Sequence, residues 1–131
     1  MKTKLNQILA EISAGELIDK ITILEIKKIK ITDKDKLIEI HKELLSLNLI
    51  LEKNISDLSK IEKFRNDLKN INLKLWDIEN GKRECEKNKD FKEKFISLAR
   101  NVYKFNDERA KAKIAINKIL GSNIKEVKSY F

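Results

Sequence analysis

Apolar residues return every three or four positions along most of this chain, the spacing that lines one face of an α-helix. The set Leu37, Ile40, Leu44, Leu47 and Leu51 predicts one helix, and Ile61, Phe64, Leu68, Ile71, Leu75 and Ile78 another. Helix starts follow from capping chemistry, in which a side-chain oxygen satisfies an orphan backbone N–H of the first turn. Ser13 with Glu16 forms an S-x-x-E capping box, so helix one is predicted from there to about Lys30. Thr32 or Asp33 caps helix two, Ser59 with Glu62 opens helix three, and Asp90 with Glu93 opens helix four. Gly121, tolerant of a left-handed conformation, ends helix four. The third and fourth helices each reach about 40 Å. The prediction is an all-α fold in one domain over residues 1–131. A short helical hairpin packs on a long antiparallel one, giving a four-helix bundle-like architecture. Residues 1–12 form a lead-in and 122–131 a tail. The lead-in stretch LNQILAEI reads as an extra helical turn or an extended segment. The tail either docks through Ile124, Tyr130 and Phe131 or stays loose.

Composition supports helices: 131 residues with no proline, three glycines and 38% charged side chains leave little material for strands and turns. The single cysteine, Cys85, has no partner for an intramolecular disulfide and no histidine cluster for a zinc site. A reducing, cytoplasmic setting fits, because the N-terminus has too short an apolar run for a signal peptide or a span. A net charge of +8 raises nucleic-acid binding as a possibility. Nearly all of that charge is lysine, however. The four arginines, Arg65, Arg83, Arg100 and Arg109, offer few of the planar forks that suit phosphate and base edges.

Polar residues on apolar faces carry the functional signal. In SAGELIDKITILEIK, Glu25 falls between Ile21 and Ile29, with Thr22 beside it. Glu16 and Asp19 fall on the flank with Lys20 and Lys27, where a Glu16–Lys20 pair is the ordinary reading. Helix four places Asn106, Arg109, Lys113 and Asn117 on turns where a pure core would carry leucine or isoleucine, flanked by Ala110, Ala112 and Ala115. Folding helix three on helix four sets Glu79 level with Arg100, Trp76 with Tyr103 and Asn72 with Asn106. Folding helix one on helix two sets Thr22 near His41, the only histidine. Thr22, Glu25, His41, Glu79, Arg100, Asn106, Arg109 and Lys113 are therefore the candidate polar or ligand-site residues. Buried charge is costly unless paired, so Glu25 is expected to meet Arg109 or Lys113. Such a layer either fixes helix register or lines an anion-binding pocket.

Four stretches resemble an uncharacterised family of small helical proteins from bacteria and their phages, domain of unknown function 6165. They are SAGELIDKITILEIK at Ser13 to Lys27, LWDIE at Leu75 to Glu79, FISLARNVYKFNDERAKAKIAIN at Phe95 to Asn117, and KSY at Lys128 to Tyr130. The resemblance implies no activity, cofactor or catalytic residue. Asn80 and Gly81 follow LWDIE where a helix-favouring residue is expected, a weak point for helix three.

The favoured function is a non-enzymatic module that binds a partner or a small anion, or associates with itself as a homodimer through apolar surface left where helices three and four outreach the shorter pair. A second class is an all-helical nucleotide pyrophosphatase, because GELID resembles that group's acidic helix stretch. Magnesium would then sit among Glu16, Asp19, Glu39 and Glu43. Lysine-driven nucleic-acid binding is the third. There is no P-loop, dinucleotide fingerprint, nucleophile elbow or zinc motif.

Overall fold

A computed structural model describes residues 4–128 of the chain. It contains four α-helices, α1 (Ala14–Lys30), α2 (Lys34–Asn54), α3 (Glu62–Lys87) and α4 (Glu93–Leu120), with a single 3-10 turn at Ser59–Ile61 before α3. No strand occurs among the described residues, and no helix there is long and apolar enough to cross a membrane.

The helix boundaries follow local chemistry, with two departures from the capping pattern. Ser13 caps α1 as predicted, its Oγ accepting the Glu16 N–H at 3.1 Å. Asp33 caps α2 by accepting from the Asp35 N–H at 3.2 Å. Ser59, by contrast, does not cap Glu62. Its hydroxyl donates to Asp57 at 2.6 Å, and the chain winds one 3-10 turn before α3 begins. Nor does Asp90 cap α4 directly, since its carboxylate accepts from the Lys92 N–H and the helix starts at Glu93 without a side-chain cap. The weak point expected at Asn80–Gly81 is absent, because α3 continues through both residues. A methyl group on Gly81 would lie 3.1 Å from Leu98 Cδ1, so its small size lets α4 approach. Gly121, with φ of 65°, ends α4 in the left-handed region.

Helix α1 is the hub. It packs on α2, α3 and α4, α3 pairs with α4, and α2 approaches the other helices through α1. Leu17, Ile18, Ile21 and Leu24 of α1 join Ile40, Leu44 and Leu51 of α2, with Ile61, Leu68, Ala112 and Ile116, in one core. Each fully buried large aliphatic side chain contributes about 1.5–3 kcal/mol.

The start of α1 is pressed against the end of α4. A Cβ on Gly15 would sit 2.5 Å from the Lys113 carbonyl oxygen, so only glycine permits this crossing. The first-turn N–H groups, which a helix cannot satisfy internally, are taken up from outside α1. Ser122 Oγ accepts from the Ala14 N–H at 3.1 Å and Asn117 Oδ1 from the Gly15 N–H at 2.6 Å.

The lead-in from residue 4 to Ile12 is not helical. Leu5, Ile8 and Leu9 are exposed, and Glu11 accepts a hydrogen bond from Asn123 Nδ2 at 2.7 Å. After Gly121 the tail returns along α4, Glu126 reaching Lys113 and Lys128 reaching Asp107. Ile124 is exposed, while Tyr130 and Phe131, named above as docking residues, lie outside the described residues.

Candidate functional site

The three-helix junction around Asp19 is built from side chains that the sequence places on three different elements. Asp19, in the middle of α1, is 0% exposed. Arg109 of α4 grips it along one edge of the guanidinium: Nε donates to both carboxylate oxygens at 3.0 Å, and Nη2 donates to Oδ2. Asn72 of α3 donates from Nδ2 to Asp19 Oδ1 and to Thr22 Oγ1, each at 2.9 Å. The Thr22 hydroxyl donates to the Asp19 backbone carbonyl at 2.8 Å. A buried carboxylate thus has its charge matched and its lone pairs filled, the condition for a buried ion to be tolerated. The carboxylate's hydrogen bonds, foremost, and its charge raise the Arg109 pKa above the usual arginine value against the opposing effect of burial.

A second ion cluster lies one turn further along α4. The Lys113 ammonium meets Glu16 at 2.6 Å and Glu126 of the tail at 3.3 Å. Burial acts to lower its pKa, but the hydrogen bond and charge of Glu16, with the charges of Glu126 and Asp19, outweigh it, so the net shift is upward. Next to it, Asn117 spends its carbonyl on Gly15 and leaves Nδ2 buried with no partner among the described residues.

The candidate residues fall into separate places. Thr22 and Arg109 share the Asp19 junction, and Lys113 lies beside it. Glu25 does not meet Arg109 or Lys113; it faces Lys69 of α3 at 3.9 Å, half-exposed. The expected closeness of Thr22 and His41 does not occur, because Thr22 turns to α3 and His41 is exposed on α2. The hairpin register is as expected, with Gly81 against Leu98 and Lys74 over the Phe105 ring. Even so, Glu79 and Arg100 do not pair. Glu79 binds Lys82 and Arg83 of its own helix, and Arg100 is exposed. Asn106 is half-buried on α4. The carboxylates proposed for magnesium do not converge. Glu16 and Asp19 are taken by Lys113 and Arg109, and Glu39 and Glu43 are exposed on α2. No group of three acidic, histidine or cysteine side chains among the described residues could hold a metal ion.

Asp19 and Asn72 are central here, although wheel position alone marks neither. The usable signal is that α4 devotes successive turns to Asn106, Arg109, Lys113 and Asn117, polar groups that require hydrogen-bonding or charged partners on the helix they face.

Beside the junction runs a groove of about 460 Å³ between α1 and α3, floored by α4. Ile23, Leu75 and Trp76 give it an apolar wall, and Asn72, Asn80 and Arg109 line its polar side. Arg83 and Glu79 also line it. Arg109, 29% exposed as a side chain, lines this space while its Nε and Nη2 are held by Asp19.

The family model described as Family of unknown function (DUF6165) matches residues 8–131. The chain belongs to this family. The Asp19 junction, the Lys113 cluster and the groove of this DUF6165 member all lie within the matched region. No curated protein and no solved structure significantly matches the chain.

Proposed function

We propose that this DUF6165 protein is a binding module whose groove takes a small organic anion, a carboxylate carried on a flat apolar body. The observation behind this reading is the orientation of Arg109. Asp19 holds the Nε–Nη2 edge of its guanidinium, and the same side chain, 29% exposed, lines the groove with no bond from Nη1 among the described residues. Guanidinium donors fixed in advance bind a carboxylate at little ordering cost, and two parallel N–H···O bonds give directional selectivity. Asp19 offsets the charge of Arg109, so the attraction for an anion comes from Lys82 and Arg83, two cations that share the single Glu79 carboxylate, with the Arg83 side chain 75% exposed. Trp76, Ile23 and Leu75 supply the surface on which a ring would lie. The groove volume suits a small ligand. Among the described residues its lining holds no serine, cysteine, lysine or histidine, which favours binding over turnover.

Trp76 is the only tryptophan, so its fluorescence and its indole N–H resonance report directly on the groove. Titration with phenylacetate is expected to shift both signals saturably, with benzyl alcohol giving a much weaker response. Arg83→Glu, on an exposed side chain, should weaken phenylacetate binding several-fold while leaving the fold intact. Equal responses to the acid and the alcohol, or no saturation at millimolar phenylacetate, would sink the proposal.

A further inference from the structure

Helix α2 carries a second apolar face that none of the described residues covers. Its inner face, Ile40, Leu44 and Leu51, is buried on α1 and the core. On the opposite side Ile38, Leu45 and Leu49 are 63%, 64% and 57% exposed. At roughly 100° per residue these three fall in one line along about three turns. Single exposed aliphatics are ordinary, but an aligned set on an edge helix is a docking surface.

The charges around the stripe indicate the occupant. The chain carries +8 overall, whereas α2 balances four lysines, Lys34, Lys36, Lys42 and Lys53, with four acids, Asp35, Glu39, Glu43 and Glu52. A surface built for an acidic partner would share the excess positive charge. A neutral surface on a basic protein is where two copies can meet without repulsion. The rims are also self-complementary. Lys34 and Glu52 lie along one rim of the stripe, Asp35 and Lys53 along the other. When two such helices pair antiparallel, like rims face each other and the stripe matches end to end. Ile38 then meets the second copy's Leu49, Lys34 comes opposite the second copy's Glu52, and Asp35 opposite its Lys53. The aliphatic stem of Lys42 covers the second copy's Leu45 while its ammonium stays in water. We infer that the outer face of α2 is the seam of a two-fold symmetric homodimer, independent of the ligand groove on the other side of α1.

The test is molar mass by light scattering on the full chain, at about 100 µM because an interface of this size sits at the weak end of the range. The mass should approach twice 15.3 kDa. Leu45→Glu together with Leu49→Glu should return it to the monomer value with the helical circular dichroism unchanged. Both positions are exposed, so the substitutions leave the monomer core alone. Ile8→Glu with Leu9→Glu, on an exposed apolar segment of the lead-in, should leave the dimer in place. A monomeric wild-type mass, or a dimer broken by the lead-in changes and not by the α2 changes, overturns the inference. As a check on charge matching, Lys34→Glu should weaken the dimer several-fold and the added change Glu52→Lys should restore it; failure of that rescue removes the antiparallel arrangement.

Discussion

Replacing Asp19 by asparagine isolates the energetics of the three-helix junction. The change keeps the side chain's size and one acceptor oxygen but removes the charge that Arg109 was folded around. Removing one partner of a buried ion pair costs about 3–5 kcal/mol, mostly because the other charge is stranded. Asp19 is 0% exposed, but the Arg109 side chain is 29% exposed, so water recovers part of the loss. The lower end of that range, about 3 kcal/mol, is therefore expected for Asp19→Asn. For a chain of this length that corresponds to a fall in Tm of about 10 °C. Arg109→Met should cost more, about 4 kcal/mol, because it strands the fully buried carboxylate with Asn72 as its remaining side-chain donor. Combining the two changes should cost less than their sum by about 2 kcal/mol, since neither charge is then left alone. Urea unfolding followed by circular dichroism and by Trp76 fluorescence measures all three variants. A loss below about 1 kcal/mol for Asp19→Asn, or additivity within about 0.5 kcal/mol, would refute the claim that this pair bears the junction's energy.

Other outcomes follow from particular contacts. Gly15→Ala should destabilise by about 2 kcal/mol in the same assay despite alanine's better helix propensity, because its Cβ meets the Lys113 carbonyl 2.5 Å away. Gly81→Ala meets a flexible leucine methyl at 3.1 Å, and the same assay should find it within about 0.5 kcal/mol of wild type. Ser13→Ala removes the α1 cap and should cost about 1 kcal/mol of unfolding free energy. Lys113 has its pKa raised in the folded state, so its contribution is fully present below the usual lysine value of 10.5 and is lost as pH climbs through the higher folded value. Stability measured between pH 9 and 12 should therefore fall less steeply in Lys113→Met than in wild type.

The helices were legible because each has a periodic apolar stripe, and the α3–α4 register because their connecting turn leaves little freedom. Ser59 misled because a cap competes with its surroundings, and Asp57 two residues earlier captured the hydroxyl. Glu25 was assigned to the buried face, and Asp19 to the flank with the lysines, for a geometric reason. A helical wheel assumes one buried stripe and one wet face, but α1 is packed on by three helices, so its polar flank is also interior. On such a helix an aspartate among lysines can be the most buried side chain of all. The partner of Thr22 was misplaced by the same assumption, which turned that face to α2 rather than α3.

The position of α1 also bears on the order of folding. Its hairpin with α2 is local and can form as soon as both helices are made, but the bonds that complete it lie far along the chain. Asp19 and Arg109 are 90 positions apart, and Gly15 and Asn117 are 102. Synthesis runs from α1 towards α4, so a nascent chain carries an unmatched carboxylate and bare first-turn amides until α4 has been made. Translation therefore leaves the first helix unfinished until the last one arrives.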